Sequence, residues 1–135
     1  MGSAPRFAPI PQDMNQLCGQ VIEAAIKVHS KLGPGLLEAT YRVCLVHELK
    51  QRGLRVEQEV AVPVVYEGVR LESGFRLDLL VEGKLVVELK AVDVLLAVHK
   101  AQVLSYLRLT QHRVGLLLNF NVALLKHGIR RIVNN

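Results

Sequence analysis

Two acidic residues and a lysine in a predicted β-hairpin are the residues of this 135-residue chain best placed to do chemistry. The hairpin joins residues 75–81 to residues 85–89, and in the simplest register Asp78 stands opposite Glu88. Opposed residues of an antiparallel pair share one face of the sheet, with Cβ atoms about 4.5–5.5 Å apart. Lys90 follows Glu88 by two positions, so it is predicted on the same face.

Two opposed carboxylates in apolar surroundings favour a divalent cation between them. Their mutual repulsion and desolvation are costly, and Mg²⁺ or Mn²⁺ bound by their oxygens would relieve both. Lys90 beside them could neutralise a phosphate oxygen or orient an attacking water. The alternative is an exposed polar strand face on which Arg76, Asp78, Glu88 and Lys90 form cross-strand ion pairs. The hairpin alone leaves both interpretations open.

A polar stripe on a predicted helix at residues 95–109 adds to the candidate site. His99, Gln102 and Tyr106 follow one another at intervals that place them on one side of a helix. On a helix packed against the sheet, this stripe could complete a site at the sheet edge. The alternative is a helix with its polar side in water and Tyr106 in the core.

The elements that must position these residues follow from the spacing of the apolar side chains. Apolar residues with helical spacing precede the hairpin, and alternating valines follow them and lead into it. An apolar run after the third predicted helix is typical of a strand covered on both faces. Together they predict an α/β fold with a mixed central sheet flanked by helices. The predicted helices are residues 14–32, 36–52 and 95–109. A strand-pair region is predicted at residues 54–66, and single strands at residues 75–81, 85–89, 114–120 and 129–133.

Composition narrows the class of protein. With 50% hydrophobic and 21% charged residues, the chain is expected to form one domain at residues 13–135 after a flexible leader at residues 1–12. No apolar run approaches the roughly 20 residues of a membrane span, so no membrane partner is expected. Cys18 and Cys44 are too few for a disulfide framework and predict a cytoplasmic, reducing location.

The charge balance permits a polyanionic partner. The formal net charge is +5, whereas aromatic residues make up only 4% and tryptophan is absent. The chain therefore has few aromatic side chains on which nucleic-acid bases could stack, and contact with the nucleic-acid backbone is the expected mode of binding.

The order of the motifs resembles the PD-(D/E)xK nuclease superfamily. Asp78, the string Glu88-Leu89-Lys90 and the pair Gln102 and Tyr106 are similar to its D…ExK…QxxxY signature. Upstream, Gly35, Glu38 and Tyr41 form the G-x-x-E-x-x-Y string of the GxxExxY protein family within that superfamily. One departure is Leu77, which stands where the superfamily's name has proline.

The resemblance implies a restriction-endonuclease-like αβββαβ core and a role for each matched residue. Asp78, Glu88 and Glu38 would be the metal ligands for Mg²⁺ or Mn²⁺, and Lys90, Glu38 and Gln102 the catalytic residues. Gln102 and Tyr106 would contact the nucleic-acid backbone, and His99 on the same stripe is expected to join them. Without the resemblance, Glu38 would be a first-turn acid favoured by the helix dipole.

The expected function is therefore a Mg²⁺-dependent nuclease that hydrolyses phosphodiester bonds of nucleic acid, with DNA as the expected substrate. The alternative is a non-catalytic nucleic-acid-binding or assembly module that retains the nuclease fold, and the apolar composition leaves room for a homodimer face. A third candidate is hydrolysis of another phosphoester such as a nucleotide, for which the sequence offers no glycine-rich phosphate loop.

Overall fold

Helices and strands alternate in an α/β order in the part of the chain that the computed structural model describes, namely Ile10 and residues 12–71 and 74–135. The helices are α1 (Gln12–Leu32), α2 (Glu38–Gln51) and α3 (Ala97–Thr110), with a short 3-10 helix at Leu125–Gly128. The strands are β1 (Val56–Ala61), β2 (Val64–Tyr66), β3 (Val69–Leu71), β4 (Arg76–Val81), β5 (Leu85–Lys90), β6 (Val114–Asn119) and β7 (Ile129–Val133).

Five of these strands form one mixed sheet in the order β1-β4-β5-β6-β7, and β2 and β3 form a separate hairpin. Only β5 and β6 are parallel among the paired strands described, and α3 supplies the crossover that a parallel pair requires. The elements α2, β1, β4, β5, α3 and β6 make up the expected αβββαβ core, which is restriction-endonuclease-like. The β2–β3 hairpin is inserted between β1 and β4, and β7 is added after β6.

The sheet is covered on both faces. One face packs on α1 and α2 through side chains such as Leu79, Val87 and Leu116. The other face packs on α3, where Gly115 lets the helix approach closely. A Cβ added at Gly115 would lie 2.9 Å from a methyl carbon of Val103, so any larger residue would push α3 away. All six residues of β6 are buried, which confirms the prediction of a strand covered on both faces.

One edge of the sheet gathers the residues of chemical interest. β5 ends at Lys90 and β6 ends at Asn119, and we call this side of the sheet the exit edge. Because β4 is antiparallel to β5, its first residue, Arg76, lies at the same edge. β1 also ends there, since Ala61 pairs with Arg76, and the β2–β3 hairpin therefore leaves the sheet at the exit edge.

The central hairpin has the predicted register. Val81 pairs with Leu85 and Leu79 with Val87, around a turn at residues 82–84. The regular pairing of β4 with β5 ends at Leu79 and Val87, one position before Asp78 and Glu88. The two acids therefore lie where the regular pairing of the strands stops.

Several sequence-based boundaries differ from the structure. Gln12, predicted in the leader, is the first residue of α1, and the rest of the predicted leader apart from Ile10 lies outside the described residues. The strand-pair region predicted at residues 54–66 holds two strands, β1 and β2, separated at Pro63, which cannot donate to a ladder. The two strands pair with β4 and β3 and not with each other. α2 begins two residues late, since the backbone of Leu37 is extended.

The outer strands of the sheet carry opposite charge. β1 presents Glu57 and Glu59 to solvent, and β7 carries Arg130 and Arg131. Glu59 also lies 3.9 Å from the guanidinium of Arg42. No helix in the described part of the chain is long and apolar enough to cross a membrane.

Candidate active site

Asp78 and Glu88 are held together by the backbone of each other's strand. Glu88 Oε1 accepts the N–H of Asp78 at 2.8 Å, and Asp78 Oδ2 accepts the N–H of Leu89 at 2.9 Å. These side-chain contacts occupy the place where the β4–β5 ladder stops. One oxygen of each carboxyl group is thereby fixed, so the pair has a defined orientation before any ligand arrives.

Burial makes the ionisation of Glu88 beside Asp78 unfavourable. Glu88 is only 3% exposed. Desolvation and then the negative charge of Asp78 raise the pKa of Glu88 to about 8, while the Asp78 N–H and the Lys90 ammonium act in the opposite direction. The neighbouring carboxyl group of Asp78 thus favours the protonated form of Glu88. In the absence of a cation, the pair therefore retains a proton at neutral pH.

Lys90 lies beside the acid pair and is tied to α3. Its ammonium donates to Oε1 of Gln102 at 3.2 Å. The side chains of both residues are half-buried, so the cation is partly shielded from water. Gln102 therefore links the last residue of β5 to the helix that covers this face of the sheet.

Glu38 reaches the same region from the other face. It is the first residue of α2, and burial raises its pKa, followed by the negative charge of Asp78. The ammonium of Lys90 and the guanidinium of Arg42 lower that pKa. The site thus receives side chains from β4, β5, α2 and α3.

Tyr106 and His99 occupy different positions on the stripe. Tyr106 is buried against the site, and its pKa is raised by desolvation and then by the carboxylates of Glu88 and Asp78, with Gln102 acting in the opposite direction. His99 lies at the start of α3, where its Nδ1 accepts the N–H of Leu96. The structure therefore gives His99 a helix-capping contact, and its contact with a nucleic-acid backbone stays a prediction.

Asn119 is a residue of this site that the sequence analysis missed as a functional candidate. It is 2% exposed, and its Oδ1 accepts the N–H of Val92 at 3.0 Å while its Nδ2 donates to the C=O of Val92 at 2.8 Å. The side chain therefore clamps the segment that follows Lys90 and leads to α3. A lone polar residue at the end of an otherwise apolar run was the available signal.

The acid pair fits a hard divalent cation. Two carboxyl groups at one point supply the oxygen ligands that Mg²⁺ and Mn²⁺ prefer, and a cation would take the place of the proton on Glu88. Among the described residues, no three histidine, cysteine, aspartate or glutamate side chains are grouped as a metal site. The fit therefore depends on Asp78 and Glu88, and Glu38 stands near them without completing a three-ligand group.

Comparison with known proteins agrees with this geometry. A family model described as the PD-(D/E)XK nuclease superfamily matches residues 15–132. The chain belongs to the PD-(D/E)XK nuclease superfamily. No curated protein and no solved structure matches it.

The structure brings together most of the predicted site residues. Asp78, Glu88 and Lys90 lie at the exit edge with Gln102, and Tyr106 and Glu38 border them. The alternative of an exposed strand face with cross-strand ion pairs does not describe Glu88, which is buried and bound to Asp78. The catalytic and metal-binding roles of these residues remain predictions.

Proposed function

We propose that this protein hydrolyses phosphodiester bonds of nucleic acid with the help of a divalent cation held by Asp78 and Glu88. The observation that carries the proposal is the buried, interlocked pair of carboxyl groups beside a lysine. Such a pair is costly without a cation and is already oriented to bind one. Membership of the nuclease superfamily supports the same reaction.

Each side chain has a task in this reaction. Mg²⁺ or Mn²⁺, when bound, would polarise the phosphoryl group. Lys90 stabilises the negative charge that develops on the phosphoryl oxygens, and Gln102 holds the lysine in place. Glu38, whose pKa is raised by burial and by the charge of Asp78, positions the attacking water and accepts its proton.

DNA is the substrate we propose, bound through its backbone. Arg76 and Lys100 are both exposed. Arg76 begins β4 at the exit edge, and Lys100 lies in the first turn of α3. Positive side chains around an acidic centre can hold the phosphates on either side of the bond that is cut. Tyr106 and His99 are proposed to contact the same backbone.

We also propose that the protein works in a reducing compartment such as the cytoplasm. Both cysteines, Cys18 and Cys44, are free thiols. Cys18 is buried in the core, whereas Cys44 is only partly buried.

The test is metal-dependent cleavage of plasmid and linear DNA, with RNA of the same sequence as a second substrate. We expect cleavage of DNA with Mg²⁺ or Mn²⁺ and none with a chelator. Lys90→Ala and Asp78→Asn should each lower the rate about 100-fold or more. Lys50→Ala, an exposed lysine in the last turn of α2, is the matched control and should keep full activity.

Each other outcome has a definite meaning. Equal cleavage by the wild type, Lys90→Ala and Asp78→Asn would attribute the activity to a contaminant and reject the proposal. Cleavage of RNA alone would reject DNA as the substrate. Salt-sensitive DNA binding that needs no metal, without cleavage under any divalent cation, would favour the non-catalytic binding module.

A further inference from the structure

A buried tyrosine closes the loop that leads into α2. The hydroxyl of Tyr41 donates to the C=O of Gly33 at 2.6 Å and accepts the N–H of Leu36 at 3.1 Å. The Tyr41 side chain is fully buried, so its hydroxyl has exchanged water for these two backbone groups. A phenylalanine would fill the same core space, and only the hydroxyl ties down the loop.

The ring of Tyr41 reaches towards the strand that carries Lys90. It stacks on Phe120, with ring centroids 4.6 Å apart and planes 15° apart. The N–H of Phe120 donates to the C=O of Lys90 at 2.9 Å. Contacts therefore run without a break from the loop before α2, through two stacked rings, to the backbone of Lys90.

Glu38 lies within this arrangement. It is three residues before Tyr41, so both side chains emerge from neighbouring positions on the first turns of α2. The loop that Tyr41 closes contains Gly35 at φ 98°, a left-handed conformation that a glycine adopts without strain. The first turn of α2 is thus fixed from both sides, by the loop before it and by the tyrosine after it.

We propose that Tyr41 is a positioning residue that holds Glu38 in a fixed relation to Lys90 across the exit edge. In this arrangement Gly35 shapes the turn, Glu38 borders the acid pair and Tyr41 braces the turn against Phe120. The spacing of Gly35, Glu38 and Tyr41 in the chain fits these three roles. The consequence for catalysis rests on the proposed function, whereas the bracing itself does not.

The bracing is tested by hydrogen exchange on Tyr41→Phe, which retains the ring and removes the hydroxyl. We expect the Leu36 amide to exchange about fivefold to tenfold faster than in the wild type, the size of one net hydrogen bond. Tyr66→Phe, an exposed tyrosine on β2, is the matched control and should leave that amide unchanged. Phe120→Leu, which removes the stacking, is a second variant and should also speed exchange. Unchanged exchange at Leu36 in both core variants would overturn the proposal.

The link to Glu38 is tested by a double-mutant cycle on DNA cleavage with Tyr41→Phe and Glu38→Gln. We expect Tyr41→Phe to lower kcat about tenfold at unchanged KM, and to cost nothing further once Glu38 is already glutamine. Independent, additive losses would overturn the positioning role. If the wild type cuts no DNA, the proposed function fails, and the exchange rates alone then decide whether Tyr41 braces the loop.

Discussion

The ammonium of Lys90 and the side-chain carbonyl of Gln102 are 3.2 Å apart, and this contact joins β5 to α3 at the exit edge. A lysine side chain has four rotatable bonds and many rotamers, so its position at the acid pair depends on such a partner. Gln102 also lies beside Tyr106, which is buried near the two carboxyl groups. The side-chain amide of Gln102 therefore contacts both Lys90 and the region of Tyr106, on the side of the site that faces α3.

Gln102→Ala is predicted to lower catalysis without unfolding the protein. The lysine would keep its charge and lose its fixed position, and a misplaced group costs up to about 100-fold in rate. We expect kcat for DNA cleavage to fall at least tenfold while the melting temperature changes little. Gln20→Ala, an exposed residue of α1, is the control. A Gln102→Ala enzyme as fast as the wild type would show that Lys90 needs no such partner.

The metal-free protein is predicted to lose stability as the pH rises. The pKa of Glu88 is about 8 in the folded protein against 4.5 for an ordinary glutamate, so between these values the folded state holds a proton that the unfolded chain has lost. The free energy of unfolding therefore falls as the pH rises from about 4.5 to about 8 and then levels off. Glu88→Gln, which cannot ionise, should lack this component.

The measurement is the free energy of unfolding in urea across this pH range, compared between the wild type and Glu88→Gln in the presence of a chelator. Glu57→Gln, on the exposed side of β1, should follow the wild type. Added Mg²⁺ should weaken or reverse the fall, because a cation binds the ionised pair in the folded state only. A difference between wild type and Glu88→Gln that stays constant with pH would contradict the raised pKa.

Asn119→Ala is predicted to destabilise the fold more than the loss of side-chain volume alone would. The change removes both contacts to Val92 and leaves a backbone N–H without its partner, at a cost of about 2–3 kcal/mol. Asn121→Ala removes an exposed contact to Asp93 in the same region and should cost less than about 0.5 kcal/mol. Urea denaturation measures both. Equal losses of stability in the two variants would show that the buried hydrogen bonds to Val92 contribute no more than the exposed contact to Asp93.

Two glycine-to-alanine changes are predicted to act in opposite directions. Gly115→Ala places a methyl group 2.9 Å from a carbon of Val103 and should destabilise the protein by about 1–3 kcal/mol. Gly19→Ala, in α1 with no atom within 4 Å of the added carbon, should stabilise it by about 0.5–1 kcal/mol. Thermal or urea denaturation gives both values. Loss of stability in both variants would refute the close approach of α3 as the cause.

The sequence predicted the centre of the site because its geometry is local. Asp78 and Glu88 belong to one hairpin, and the short turn at residues 82–84 sets their register. Gln102 and Lys90 come from separate elements, but the βαβ crossover has a fixed hand and brings them to one edge. Motif order and chain topology were therefore sufficient for these residues.

Long-range and irregular features were less predictable. The sequence analysis covered β2 only as the end of the region at residues 54–66 and did not predict β3. Both strands are three residues long and mostly exposed, which leaves no hydrophobic alternation to detect. The clamp by Asn119 depends on the backbone of Val92 in a separate loop, and the bracing by Tyr41 depends on backbone groups of the loop before α2. Residue types and spacing do not encode such contacts, which arise only once the layers have packed.

The opposite charges of the two outer strands also limit how the sheet can grow. A strand edge left open invites another strand to add to it, and charged side chains are one means by which proteins prevent this. At β1 a second copy meeting the same edge would set glutamates against glutamates, and at β7 arginines against arginines. Symmetric extension of the sheet from one molecule to the next is therefore opposed at both ends.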